Sequence, residues 1–224
     1  MMAETKEALY RDFYATGSYM TADIETGVLY NRMGRRMLGL TDDFITGLLK
    51  AISGECGEEA NRVEYRCGHR WGVVFGNGLL SDWSRFFEQE ASEFSIHLLR
   101  TLLLKEFAHN GWGMLDIDID RLSDGILDVR LENSAFREVK RTELGTTDDT
   151  LTAGILGGMM SSLFAIELDC LQLEGTESDS HFLVISPDRL ATWDLKPYDR
   201  SADLAPLLNC LELNPSRSAS ASTT

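Results

Sequence analysis

The sequence predicts an α+β fold in which an antiparallel sheet of hairpins is covered by helices, and two observations carry that prediction. First, the hydrophobic period changes along the chain. It is near four up to Gly111, two beyond it, near four again over residues 149–164, and then two once more. The resulting order of helices, hairpin, helix, hairpin places helices on one side of an antiparallel sheet. Second, 224 residues with 43% hydrophobic and 25% charged side chains suffice for one substantial core.

The elements follow in order. Residues 1–30 read as an N-terminal extension. Arg32, Arg35 and Arg36 form the most basic local patch, and in so acidic a chain they are expected to make intramolecular ion pairs. Thr41, Asp42 and Asp43 are the N-cap and first turn of a core helix with the stripe Phe44, Leu48, Leu49 and Ile52, stopping near Gly54. In the segment 61–80, Val63, Tyr65, Trp71, Val73, Val74 and Phe75 are interleaved with Gly68, Gly72, Gly76 and Gly78. Each glycine costs a helix about 1 kcal/mol relative to alanine, so close approach to another helix or to a flat ligand must compensate. Ser81 and Asp82 read as the cap of a further helix carrying Trp83, Phe87, Phe94, Leu98 and Leu102 at steps of four and seven.

After Gly111, Leu115, Ile117 and Ile119 alternate with Asp116, Asp118 and Asp120, and Leu127, Val129 and Leu131 alternate with Asp128, Arg130 and Glu132. This is a hairpin with one buried face. Its carboxylates stand in a row on the wet face and cannot wrap a cation as a loop does. Asp149 to Phe164 is a helix whose Gly154, Gly158 and Ser162, at steps of four, leave one side bare for another backbone. Ile166 to Leu173 and His181 to Ile185, joined through GTESDS, form a second hairpin. Residues 31–190 are read as one domain, residues 191–214 as a C-terminal extension, and the polar tail 215–224 as disordered.

Charge and composition exclude several classes. A formal charge of -15 disfavours nucleic acid as a partner. The longest apolar run, Leu98 to Leu104, contains Arg100 and is far shorter than the roughly 20 residues of a membrane-spanning helix. Cys56, Cys67, Cys170 and Cys210 form no CxxC pair and no signal sequence opens the chain, so a cytoplasmic location is expected. Nucleophile-elbow, P-loop and H-E-x-x-H signatures are missing, so no enzyme is indicated.

LENSAF at Leu131 to Phe136, LTAGILGGMMSSLF from Leu151, Glu167-Leu-Asp-Cys170 and Ser180-His-Phe182 occur in an order that resembles the 4-vinyl-reductase domain family. The upstream YRCGHRWG, Tyr65 to Gly72, is similar to that family's glycine-bearing helix. The resemblance spans roughly residues 30 to 186. It implies a small α+β domain related to transport-particle subunits, often dimeric, with a mostly enclosed ligand cavity. It also implies a place in chlorophyll pathways, in photosystem assembly, or in aromatic-effector sensing. Relatives bind zinc through a Cys before the T-A-G helix, Glu-x-x-Cys, and a Cys two residues before Phe. Here only Glu167 and Cys170 match, Ser180 occupies the final Cys position, and His181 is the one conceivable substitute. Zinc is therefore not expected, and the GTESDS turn is expected to be looser unless Asp179 or Ser180 replaces the clamp by hydrogen bonding.

The leading expectation is a non-catalytic, dimeric carrier of chlorophyll or a related tetrapyrrole, with photosystem assembly proteins as partners and no sensor output domain. The ligand slot is assigned to His69, Trp71 and Phe75 on the glycine-bearing segment and to Trp83, Phe87, Phe94 and His97 on the aromatic helix. His109 near its end is a further candidate, a histidine nitrogen being the possible ligand for magnesium. The alternatives are a sensor of small aromatic or lipid-like ligands acting through a partner, and a ligand-free dimeric scaffold.

Overall fold

The computed structural model describes residues 13–15, 17, 19–173, 179–199 and 204–210. Three short strands, β1 (Met20–Asp23), β2 (Val28–Asn31) and β3 (Arg36–Met37), form a small antiparallel sheet in the order β1-β2-β3. Helices α1 (Asp42–Cys56), α2 (Ala60–Phe87) and α3 (Ile96–His109) follow. Then come β4 (Met114–Asp118), β5 (Ile126–Glu132), α4 (Ala135–Glu143), α5 (Thr150–Phe164), β6 (Asp169–Gln172) and β7 (Asp179–Ile185). The short helices α6 (Pro187–Ala191) and α7 (Ala205–Cys210) complete the described chain. The main sheet is antiparallel with strand order β4-β5-β7-β6, so the fold is the α+β arrangement expected from the period changes.

The alternation in β4 and β5 sends Leu115, Ile117, Leu127, Val129 and Leu131 into the main core and leaves Asp116 and Asp118 in water. The registers Val129↔Phe182 and Leu127↔Val184 continue this buried face across β7. Here α3 lies against β4, and α5 against β6 and β7. The opposite face is not wholly wet. Ile126, Leu171, Leu183 and Ile185 pack beneath Leu190, Leu195 and Leu207 of the C-terminal segment. Burial on both faces explains why Phe182, Leu183, Val184 and Ile185 of β7 are apolar without alternation.

Several sequence expectations are corrected. The glycine-bearing segment and the start of the aromatic stripe are one 28-residue helix, α2. Ser81 and Asp82 therefore cap nothing. Asp82 is instead buried, accepting a hydrogen bond from Asn31 Nδ2 at 2.6 Å and an ion pair from Arg35 Nε at 3.0 Å. The aromatic stripe breaks at Glu88, whose φ of 50° ends α2, and α3 starts anew at Ser95, whose Oγ accepts from the Leu98 amide at 3.2 Å. Phe94 thus precedes α3. In α1 only Leu49 is buried, packed with Phe136 and Val139 of α4, and Phe44 and Leu48 are exposed. The small sheet and α4 escaped the sequence reading, being too short to show a period.

The bare side of α5 meets the bare side of α2. A Cβ at Gly72 would overlap the Ile155 carbonyl, and one at Gly158 would overlap that of His69. The two helices touch backbone to backbone, so helix packing rather than a flat ligand compensates for Gly68, Gly72 and Gly76, while Gly78 lies against the Arg35 side chain.

Candidate functional site

The side chains assigned to a slot occupy separate places. Trp71 and Phe75 lie on the outer side of α2, with ring centroids 5.3 and 5.1 Å from Trp112. At about 1.5 Å of rise per residue, roughly 18 Å of helix axis separates Trp71 from Trp83. Trp83 is fully buried in the core. Phe87 stacks edge-on against Phe94, with centroids 6.1 Å apart, and together with Phe13 and Phe86 they fill the turn between α2 and α3. His69 is half-buried, its Nε2 3.3 Å from the Leu168 carbonyl. His97 is exposed. His109 has Nδ1 2.8 Å from the Lys105 carbonyl and Nε2 3.2 Å from that of Tyr14. No single flat slot unites them, because α2 carries its aromatic residues on different sides and over different turns.

A different cleft lies where α3, the β4–β5 hairpin and the end of α5 converge. Leu99, Leu103, Ile117, Leu127 and Met160 form its walls, and the partly buried Ile96, Ile119, Leu163 and Phe164 form its lip together with Arg100. The interior void is about 10 Å³, room for roughly one water molecule. Arg100 follows from the helical spacing: with Ile96, Leu99 and Leu103 it occupies one side of α3. Its Nη2 donates to Asp116 Oδ1 at 2.8 Å, while its Nε is sealed from solvent without an acceptor. Leaving such a donor unpaired costs roughly 1–3 kcal/mol. In the sequence Arg100 only interrupts an apolar run; the signal was a charge inside an apolar helical stripe.

Beside the other end of α3, Glu106 is wholly buried. It accepts hydrogen bonds from Tyr14 at 2.9 Å, from Asn110 Nδ2 at 3.0 Å and from Tyr19 at 2.5 Å. Burial pushes the Glu106 carboxyl above its ordinary range, and burial followed by the neighbouring Glu106 charge pushes both tyrosines up. The cluster fastens the N-terminal segment to the core, and the Tyr14 hydroxyl also lies 3.0 Å from the Leu102 carbonyl. Nothing in the local sequence distinguishes Glu106 from a surface residue.

Glu167 is exposed and Cys170 is fully buried on β6, where burial holds its thiol well above the ordinary value. Among the described residues no group of three or more His, Cys, Asp or Glu is placed to hold a metal ion. Ser180 does reach across: its Oγ donates to Asp149 Oδ2 at 2.8 Å, while the Asp149 amide donates to Gln172 Oε1 at 2.6 Å. These bonds tie the start of α5 to β7 and β6. Residues 175–178 of the GTESDS turn lie outside the described residues. No described helix is long and apolar enough to cross a membrane.

No family model and no curated protein matches the sequence. Solved structures do match. The fold is similar to that of the phenol-responsive sensory domain of the transcription activator PoxR, solved with phenol, at a TM-score of 0.62 and 17% identity over 85% of this chain and 92% of that one. A trafficking protein particle complex subunit 3 from Naegleria fowleri, covalently bound to palmitic acid, aligns at a TM-score of 0.42 and 8% identity over 65% of this chain and 96% of that one. At these identities the PoxR likeness is one of fold.

Proposed function

We propose that this chain is a non-catalytic binding domain of the 4-vinyl-reductase-like kind, which takes up a small apolar or aromatic molecule in the cleft between α3, the β4–β5 hairpin and α5. The observation that carries this reading is an apolar cleft with a partly exposed lip, within a fold similar to that of a phenol-responsive sensory domain. The cleft lining argues for binding rather than chemistry. Among the described residues the lining apart from Arg100 consists of Ile, Leu, Met and Phe side chains, and a guanidinium neither gives up nor accepts a proton near neutral pH. A ligand enters by parting Leu163 and Phe164 from Ile96 and Ile119, so the filled cleft is a minor conformation that the ligand makes dominant. A tetrapyrrole is the larger version of this reading. It would require α3 to lift from the sheet, whereas a single ring needs only side-chain movement.

Thermal unfolding with phenol, cresol or naphthol tests the proposal. The transition temperature should rise with ligand concentration, as expected for a ligand that binds the folded state alone. Leu163→Trp, which fills the lip, should abolish the rise. Incubation with chlorophyllide should leave the pigment's absorption spectrum unshifted. If none of the neutral aromatics stabilises the wild-type chain, the reading is wrong.

A further inference from the structure

The geometry points to a narrower ligand class: a monocarboxylic acid with an apolar or aromatic tail, its head held by Arg100 at the lip. This rests on the cleft being a ligand site, as proposed above. Arg100 lies four residues from Ile96 and three from Leu103, so its methylene stem shares the cleft wall while its guanidinium sits at the rim. A guanidinium has five donors and no acceptor, so it selects a ligand that brings oxygen lone pairs. One donor, Nη2, is engaged by Asp116, and Nε, next to it on the same edge of the fork, is buried without a partner. That edge is the pair a carboxylate takes bidentately.

Asp116 is the built-in competitor. It projects from the wet side of β4, 65% exposed, and loses little by releasing Nη2 to water. An incoming carboxylate would then gain both Nη2 and the unused Nε. The charge count favours a monoanion, since among the described residues Arg100 is the one cation lining the cleft, and Asp116 stands beside it. A phosphate dianion would leave charge unpaired at that rim. In a chain of formal charge -15 a general attraction for anions is missing, so discrimination between an acid and its neutral counterpart must come from this local fork.

The test is isothermal titration of the full chain near neutral pH with tail-matched pairs, octanoate against octanol and phenylbutyrate against phenylbutanol. The wild-type chain should prefer each acid by roughly tenfold, the scale of a charge-assisted hydrogen bond. Arg100→Gln should erase the preference while keeping the affinity for the alcohols, and Arg100→Lys should restore part of it. Asp116→Asn should raise affinity for the acids alone, a response that a merely structural ion pair would not give. Equal affinity for acid and alcohol in the wild-type chain would overturn the assignment of Arg100 and leave the cleft intact as a site. A preference that persists in Arg100→Gln would also overturn it. Failure of both acids and alcohols to bind would overturn the cleft reading beneath it.

Discussion

Helices α2 and α5 meet along a seam of glycines where backbone lies against backbone, whereas α3 meets the sheet through side chains. In the first contact Gly72 and Gly158 bring carbonyl groups against the facing helix, and there is no room for a methyl group. In the second, Leu99, Leu103, Ile117 and Leu127 pack around a small void with a half-exposed lip. Backbone contacts cannot relax by changing rotamer, while side chains at a lip can. A seam of backbone thus lies beside a contact made of side chains, and on the reading proposed above it is the side-chain contact that parts for a ligand.

The sharpest way to break this contrast is Gly158→Val. Its side chain would collide with the His69 carbonyl, so the helices must separate, and the loss should be about 3 kcal/mol or more. Urea unfolding followed by circular dichroism measures it, and a loss below about 1 kcal/mol would show that the seam yields.

A smaller effect is expected at the anchored end of α3. Burial holds the Glu106 carboxyl above its ordinary 4.5 in the folded chain, so folding favours its protonated form. The stability it contributes is complete below pH 4.5 and is lost as pH rises through the raised folded value. In Glu106→Gln that dependence is absent, so the wild-type chain should lose ground relative to the variant as pH climbs from 4.5. Unfolding midpoints of the two proteins over a pH series measure the sign. A difference that does not change with pH would remove the titrating group from the account.

The smallest effect belongs to the lip. Leu163→Ala removes a partly buried side chain and should cost about 1 kcal/mol. At the same time it should accelerate uptake of phenol in stopped-flow binding, because the lip no longer has to part. Slower uptake would place the entry route elsewhere.

The legible and illegible parts divide along the same contrast. The β4–β5 alternation and the four-residue spacing of Gly154, Gly158 and Ser162 were readable because each is a local period with a single spatial meaning. The end of α2 was not. Ser81 and Asp82 look like a cap, yet the helix continues because Asp82 finds Asn31 and Arg35 far away in sequence. The aromatic residues assigned to one slot do not share one place. Trp83 is core, Trp71 is on the outside, and the intervening turns of α2 keep them apart. Arg100 and Glu106 were missed because a charged residue in a helix looks the same in sequence whether it faces water, a cleft or two tyrosines.

By itself, the sequence determined the α+β class, the two hairpins, and a pair of bare helical sides that had to lie against something. Period and glycine spacing express local geometry, and local geometry survives without knowledge of the neighbours. Only the tertiary structure decided that these sides lie against each other. It alone decided that Ser180 reaches Asp149 at 2.8 Å and that Arg100 borders an apolar cleft. Those facts depend on which residues, distant in the chain, are brought within a few ångströms, and no periodicity encodes that.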